Sequence, residues 1–278
     1  MRGFSQGRIQ LVVTTGILAA IAIFASGCNK LKARDNLNKG VNAFKAGQYS
    51  QAADAFKTAI DLDPQFPVAR LYLATAYMSQ YVPGSDTPDN KRNADAALDQ
   101  FNQVLRDDPK SVLATESVAN LYYNMKDFPK AEEWNKKVVE LDPKNKEAYY
   151  TLGVLAWTQF VAPDREARSS MDMRAEDPGP LKPPRNKKDP DKKAMLKEKY
   201  WQSLTEGIED EKKALAIDPE YENAMAYMNL LIRYRADLDD TKEQYQADIK
   251  EADSWVQKNL ETVKLKAKRK AEKAEQTQ

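Results

Sequence analysis

Four Asp-Pro pairs, at Asp63-Pro64, Asp108-Pro109, Asp142-Pro143 and Asp218-Pro219, each close a stretch of apolar residues at helical spacing. The residue before a proline is pushed out of the helical region, so each pair marks a helix end. Pro109 and Pro143 lie 34 residues apart, while the flanking intervals are 45 and 76. Those longer intervals are one 34-residue period plus inserts of 11 and 42 residues. A period in that range denotes stacked supersecondary units, none of which can bury its apolar face alone.

Residues 33–66 carry the pattern in full. Gly40 and Ala52 are small residues where two facing helices must approach closely, and Phe44, Tyr49 and Phe56 fill the space between, with Ala59 as the next small contact. Gly47 lies between the two apolar stretches as a turn residue able to take φ > 0. Later units read Ala74, Tyr77, Ala97, Phe101, Pro109, then Ala119, Tyr122, Phe128, Ala131, Val138, Pro143, then Leu152, Gly153, Leu204, Gly207, Ala214, Pro219. A fifth begins at Ala224-Met225, places Asn229 at the small-residue position and lacks a terminal Asp-Pro. Thr241 and Gln244, with capping-box spacing, start its closing helix, whose apolar stripe runs through Tyr245, Ile249, Ala252, Val256, Leu260 and Val263.

These residues resemble the tetratricopeptide repeat family over about residues 33–260. The resemblance implies an all-α fold, a right-handed solenoid of antiparallel helix pairs with about five repeats, a long C-terminal helix and two inserts. It also implies that the first helix of each pair lines a concave surface receiving a protein or peptide partner. Mapped onto this chain, that surface comprises Leu37, Val41 and Phe44, then Leu71, Tyr72, Thr75 and Met78, then Asn120 and Tyr123. Tyr150, Val154 and Trp157 follow from the fourth repeat, and Tyr227, Leu230 and Tyr234 from the fifth. Aromatics at this spacing serve equally as packing between helices. Asn38 and Asn120 fall on the groove side, but the lysines of the family's carboxylate clamp are missing, so that function does not carry over.

The N-terminus supplies an address. Arg2 and Arg8 precede an apolar run from Leu11 to Phe24, and Ala25-Ser26-Gly27-Cys28 follows. A basic start, a short apolar region and a small-residue site form a secretory signal. Phe24-Ala25-Ser26-Gly27-Cys28 resembles the lipobox of bacterial lipoproteins, with Ala25 where the family usually has Leu. That resemblance implies a signal peptide over 1–27, lipidation of Cys28 (palmitate among the acyl groups) and a tether over 28–32. It also implies a cell-envelope address on the periplasmic side. Asn29 rather than Asp after the cysteine favours the outer over the inner membrane.

Composition removes chemistries. The chain has no histidine and one cysteine, which excludes His-dependent acid–base and nucleophile pairs and the commonest metal ligand. No Gly-rich phosphate loop is present, and Lys plus Arg, 43, nearly equals Asp plus Glu, 42, so no basic field draws the chain to nucleic acid. The expectation is a non-enzyme with no catalytic residues, metal or cofactor, acting as a lipid-anchored repeat scaffold in an envelope assembly or secretion complex. The alternative is a solute-binding lipoprotein of the same architecture, holding a small apolar ligand for a transporter.

Both inserts fall between the two helices of a repeat. The first, 81–93, contains Pro83-Gly84 and reads as a loop; the second, 162–188, is polar and Pro-rich and cannot fold alone. A helix of about 26 residues capped by Asp189-Pro190 should follow, with Leu196, Tyr200, Leu204, Ile208 and Leu215 in its stripe and its first half overhanging the stack. Residues 264–278 read as a basic tail.

Overall fold

The computed structural model describes residues 28–174, 177, 179–184, 186 and 189–276; the signal-peptide segment 1–27 lies outside the described residues. Among the described residues the chain is entirely helical, with no strand. The helices are α1 (28–45), α2 (Tyr49–Leu62), α3 (Pro67–Gln80), α4 (Pro88–Asp107) and α5 (Val112–Asn124). They continue with α6 (Phe128–Leu141), α7 (Lys146–Ser170), α8 (Lys192–Ile217), α9 (Glu222–Ala236) and α10 (Lys242–Glu275). In sequence they form the five expected pairs, α1/α2 to α9/α10. The chain divides into two compact units, one ending at Met125 and the other beginning at Lys126.

The Asp-Pro pairs end α2, α4, α6 and α8 in one repeated geometry. Asp63, Asp108, Asp142 and Asp218 all take φ between −141° and −130° with ψ between 87° and 94°. Each still donates its N–H to the carbonyl four residues back, Ala59, Val104, Val138 and Ala214, at 2.8–3.0 Å. At the last three sites the Asp side chain then accepts the N–H two residues on, from Lys110, Lys144 and Glu220, at 3.0–3.1 Å. The same Asp carbonyls accept from Ser111, Asn145 and Tyr221 at 3.1 Å. One side chain thereby closes a helix and fixes the turn into the next. The following helices α5 and α7 start on Ser111 and Asn145, whose side chains accept the N–H of Ala114 and Ala148. At α10 the capping box of Thr241 and Gln244 is complete.

Within pairs, glycine sets the approach distance. A Cβ on Gly40 would lie 2.4 Å from the fully buried Phe56 ring, and one on Gly207 2.9 Å from the Ala156 Cβ. Gly153 makes room for Glu211, whose Oε1 would stand 2.3 Å from such a Cβ. Glu211 is wholly buried and neither carboxyl oxygen has a hydrogen-bond partner among the described residues. Burial, with a smaller contribution from Asp210, pushes its pKa up to about 10, so it is packed as the neutral acid.

Several sequence expectations change. Residues 28–32, the expected tether, are helical and continuous with the rest of α1. The first insert is a loop only over 81–87, because Thr87 caps α4 and Pro88 occupies its first turn. Asn90, 4% exposed, then ties the loop down, donating to the Val82 and Ser85 carbonyls and accepting from the Val82 N–H. The second insert begins as helix, since α7 runs to Ser170 across Pro163, and α8 is capped by Asp191 rather than Asp189. Extended α7 and α8 pack on each other, so α8's first half does not overhang bare: Leu196, Tyr200 and Trp201 join the unit's core. Leu181 and Met173, 1% and 5% exposed, anchor the segment between.

The basic tail is likewise the end of α10 through Glu275, with Lys266 and Arg269 paired to Glu222 and Glu220. Its stripe is buried at Ala252 but exposed at Leu260 and Val263, because at that level Asn259 and Thr262 are the residues that face α9, meeting the Glu222 carbonyl and Met225.

Gly40→Ala forces the Phe56 ring to move and should lower unfolding free energy by about 1–3 kcal/mol, read by urea denaturation. Glu211 has a folded pKa raised above its ordinary 4.5, so its contribution is full below that value and is lost as pH rises towards 10. Glu211→Met, similar in volume and apolar, should raise stability at neutral pH by about 1–3 kcal/mol and flatten the loss between mildly acidic and neutral pH.

Candidate functional site

The expected groove residues come from α1, α3 and α5 in the first unit. Leu37, Val41 and Phe44 are half-buried and pack on a core of Ala52, Ala53, Phe56, Leu73 and Ala76, so they serve chiefly as packing. Tyr72 is 37% exposed with its ring stacked 5.4 Å from Phe56, which leaves one face to solvent. Leu71, Thr75 and Met78 are half-buried; the Thr75 hydroxyl donates to the Leu71 carbonyl at 2.8 Å. Asn120 is exposed and Tyr123 half-buried. Val68 and Leu113, 45% and 56% exposed, are apolar surface that the family mapping missed. Both sit near the start of an α-helix, before the positions that the repeat pattern designates.

In the second unit the aromatics of α7 and α9 interleave. Tyr150 meets Tyr227 edge-on at 5.4 Å, Tyr227 meets Trp157 at 5.6 Å, and Trp157 meets Tyr234 at 6.3 Å. Tyr221 extends the row beside Tyr150 at 5.5 Å, and Phe160 extends it beside Tyr234 at 5.9 Å. Such tilted contacts suit the ring quadrupoles and hold each ring in place. Tyr150, Trp157, Tyr227 and Tyr234 remain half-buried, whereas Phe160 is fully buried. The Trp157 indole N–H has no acceptor among the described residues. Val154 is a correction: at 4% exposure it belongs to the core and offers a partner nothing.

Beyond Tyr234 the row opens into a cleft of about 490 Å³, lined by Leu230 and Tyr234 of α9, Tyr245 and Ile249 of α10, and charged groups. Of those, Asp164, Arg168 and Asp237 are almost fully buried. Arg168 pairs with both Asp164 and Asp237. Burial raises the pKa of Asp164 despite the neighbouring Arg168, and raises that of Asp237 to about 7. None of the three was singled out from sequence. The spacing of Asp164 and Arg168 was a helix-face signal, hidden by assigning 162–188 to a polar insert.

Among the described residues no group of three or more Cys, Asp and Glu could hold a metal ion, and no helix is long and apolar enough to cross a membrane. Cys28 is exposed at the start of the described chain.

Residues 43–80 and 90–146 match two tetratricopeptide repeat families. Those two segments thus carry tetratricopeptide repeats within an all-helical chain. No match is found among curated proteins. Among solved structures, a crystal structure of MamA is similar at 16% identity and TM-score 0.54, over 85% of this chain and 94% of that one. MamA (41-end) from Desulfovibrio magneticus RS-1 is similar at 17% identity and TM-score 0.53, over 84% and 96%. At such identities the likeness establishes the fold.

Packed and available aromatics should separate on truncation. Phe160→Ala should cost about 3–5 kcal/mol of unfolding free energy, and Tyr72→Ala less than about 1.5 kcal/mol. Urea unfolding measures both.

Proposed function

We propose that this chain is a non-catalytic scaffold of the cell envelope, held to a membrane by a lipid on Cys28 and binding a protein partner through the first helices of its repeats. The observation that carries the binding reading is the Tyr150–Tyr227–Trp157–Tyr234 row, pre-ordered by ring contacts and half exposed. Rigid aromatics with one face to solvent supply contact area at little entropic cost, and Tyr and Trp are enriched among residues that dominate interfaces. The exposed Tyr72 and Leu113 offer a second apolar surface in the first unit.

The anchor reading is supported by the basic, apolar and small-residue pattern before Cys28, whose side chain is exposed. Buried methylenes contribute about 0.8 kcal/mol each, so more than one acyl chain is needed for stable attachment. With α1 helical from residue 28, attachment there would leave almost no slack between membrane and repeats. The periplasmic face of the outer membrane is the address this reading favours, within an envelope assembly or secretion complex.

A second reading is a solute-binding lipoprotein serving a transporter; the cleft of about 490 Å³ offers it room, but six of the ten lining residues are charged, which does not suit a small apolar ligand.

Both readings are tested by in-cell crosslinking of tagged protein, followed by membrane extraction and mass spectrometry. A membrane complex captured by the wild type, retained by Glu133→Ala and lost when Tyr150 and Tyr227 are changed to Ala, is the expected result, provided the variant keeps its helical circular dichroism. Capture unaffected by the aromatic changes would overturn the groove reading, and a small molecule retained in place of a protein would favour solute binding. In parallel, metabolic labelling with an alkyne fatty acid should mark the wild type and leave Cys28→Ser unlabelled; equal labelling would remove the anchor reading.

A further inference from the structure

The groove ends of α7 and α9 are joined by one buried cation and two buried anions. Arg168 of α7 donates its Nε–H to Asp164 Oδ2, one turn earlier, at 3.1 Å, and its Nη2 pairs with Asp237 Oδ1 at the C-terminal cap of α9. The three side chains are 6%, 2% and 10% exposed. Asp164 Oδ1 is buried without a donor among the described residues. One guanidinium cannot balance two carboxylates away from water, so the fully ionised cluster carries an uncompensated negative charge, and a single proton would neutralise it.

The same cluster holds the chain that follows α7. Arg168 Nη1 reaches the Asp177 carbonyl at 3.4 Å, and the Asp237 carbonyl accepts the Leu181 N–H at 2.8 Å. Gly179 N–H donates to the Tyr245 hydroxyl at 2.8 Å, which brings in α10. Asp177 and Tyr245 both line the cleft, so whatever loosens the cluster loosens a wall of that cleft.

We propose that Arg168, Asp164 and Asp237 form a proton-operated clasp between α7, α9 and the segment around Leu181, which tightens on acidification and loosens above neutral pH. This goes beyond the binding reading and does not depend on it.

The charges around the clasp support that direction. Asp237 faces Arg168 and Asp164 from α7 and Asp239 from the turn before α10, with Tyr234 on its own helix. Burial dominates and takes its pKa to about 7, with Arg168 opposing and Asp164 and Asp239 adding. Asp164 is raised by burial against Arg168 and Arg165. Asp239, whose Oδ2 is buried without a donor among the described residues, is pushed to about 6 by burial and by Asp248 of α10, against Arg235 of α9 and Lys193 and Lys197 of α8. Both values lie above the ordinary 3.8, so the clasped form is favoured most below that pH and loses its advantage as pH rises towards 6 and 7.

The test is amide hydrogen exchange of the full chain at about pH 5.5 and about pH 8.5, corrected for intrinsic rates, with α5 amides as an internal reference. The Leu181 and Leu238 amides should be protected about tenfold more at the lower pH relative to the reference. In Asp237→Asn/Asp239→Asn, which keeps the shape and leaves Asp164 as the one carboxylate balancing Arg168, protection should no longer change with pH. Equal wild-type protection at the two pH values overturns the proposal, even if the variant fails to fold. A pH dependence that survives in a folded variant overturns it as well.

Discussion

The Asp-Pro turn is the interaction on which the rest of this structure depends. At Asp108, Asp142 and Asp218 the backbone N–H finishes one helix, the side chain captures the N–H two residues on, and the carbonyl captures the N–H three residues on. Proline then forbids the helix from continuing. The Asp carbonyl, which a helix end would leave unsatisfied, and the two following N–H groups are thereby used to aim the next helix. Asp218 does one thing more: its Oδ2 accepts from Lys146 Nζ at 2.5 Å, tying the end of α8 to the start of α7. That contact raises the Lys146 pKa and lowers that of Asp218.

Repetition of this device is why the fold was legible in sequence. The ten helices, their pairing, the close approaches at Gly40 and Gly207 and the capping box at Thr241 all follow from local rules that act within a few residues. What escaped was non-local. Asn90 is a polar residue in a polar stretch, and only the fold shows that its amide closes the loop from Val82. Val154 has groove spacing, yet it lies beside Gly153, where the helices come closest, and is buried. Arg168 and Asp237 are 69 positions apart, and no periodicity links them.

The fourth and fifth repeats depart most from the pattern and hold the unusual chemistry. Longer α7 and α8 add surface that is packed with charge as well as with apolar side chains: Glu211 as a buried neutral acid, Arg168 between two carboxylates. Buried ionic groups cost stability relative to apolar packing. Their placement beside the aromatic row of α7 and α9 puts that cost next to the candidate binding surface. The tetratricopeptide matches, by contrast, cover 43–80 and 90–146, the regular portion.

The central claim is that the Asp side chains in the turns, rather than helix propensity or apolar burial alone, fix the register of the stack. Replacing Asp108 and Asp142 together by Ala, with every proline kept, removes two turn acceptors and no apolar contact, and spares Asp218, which also holds Lys146. Urea unfolding followed by circular dichroism is the direct measurement. A loss of about 2 kcal/mol, about 1 kcal/mol for each hydrogen bond, with helical signal retained before the transition, is the result expected. An unfolding midpoint and slope unchanged from the wild type would contradict it.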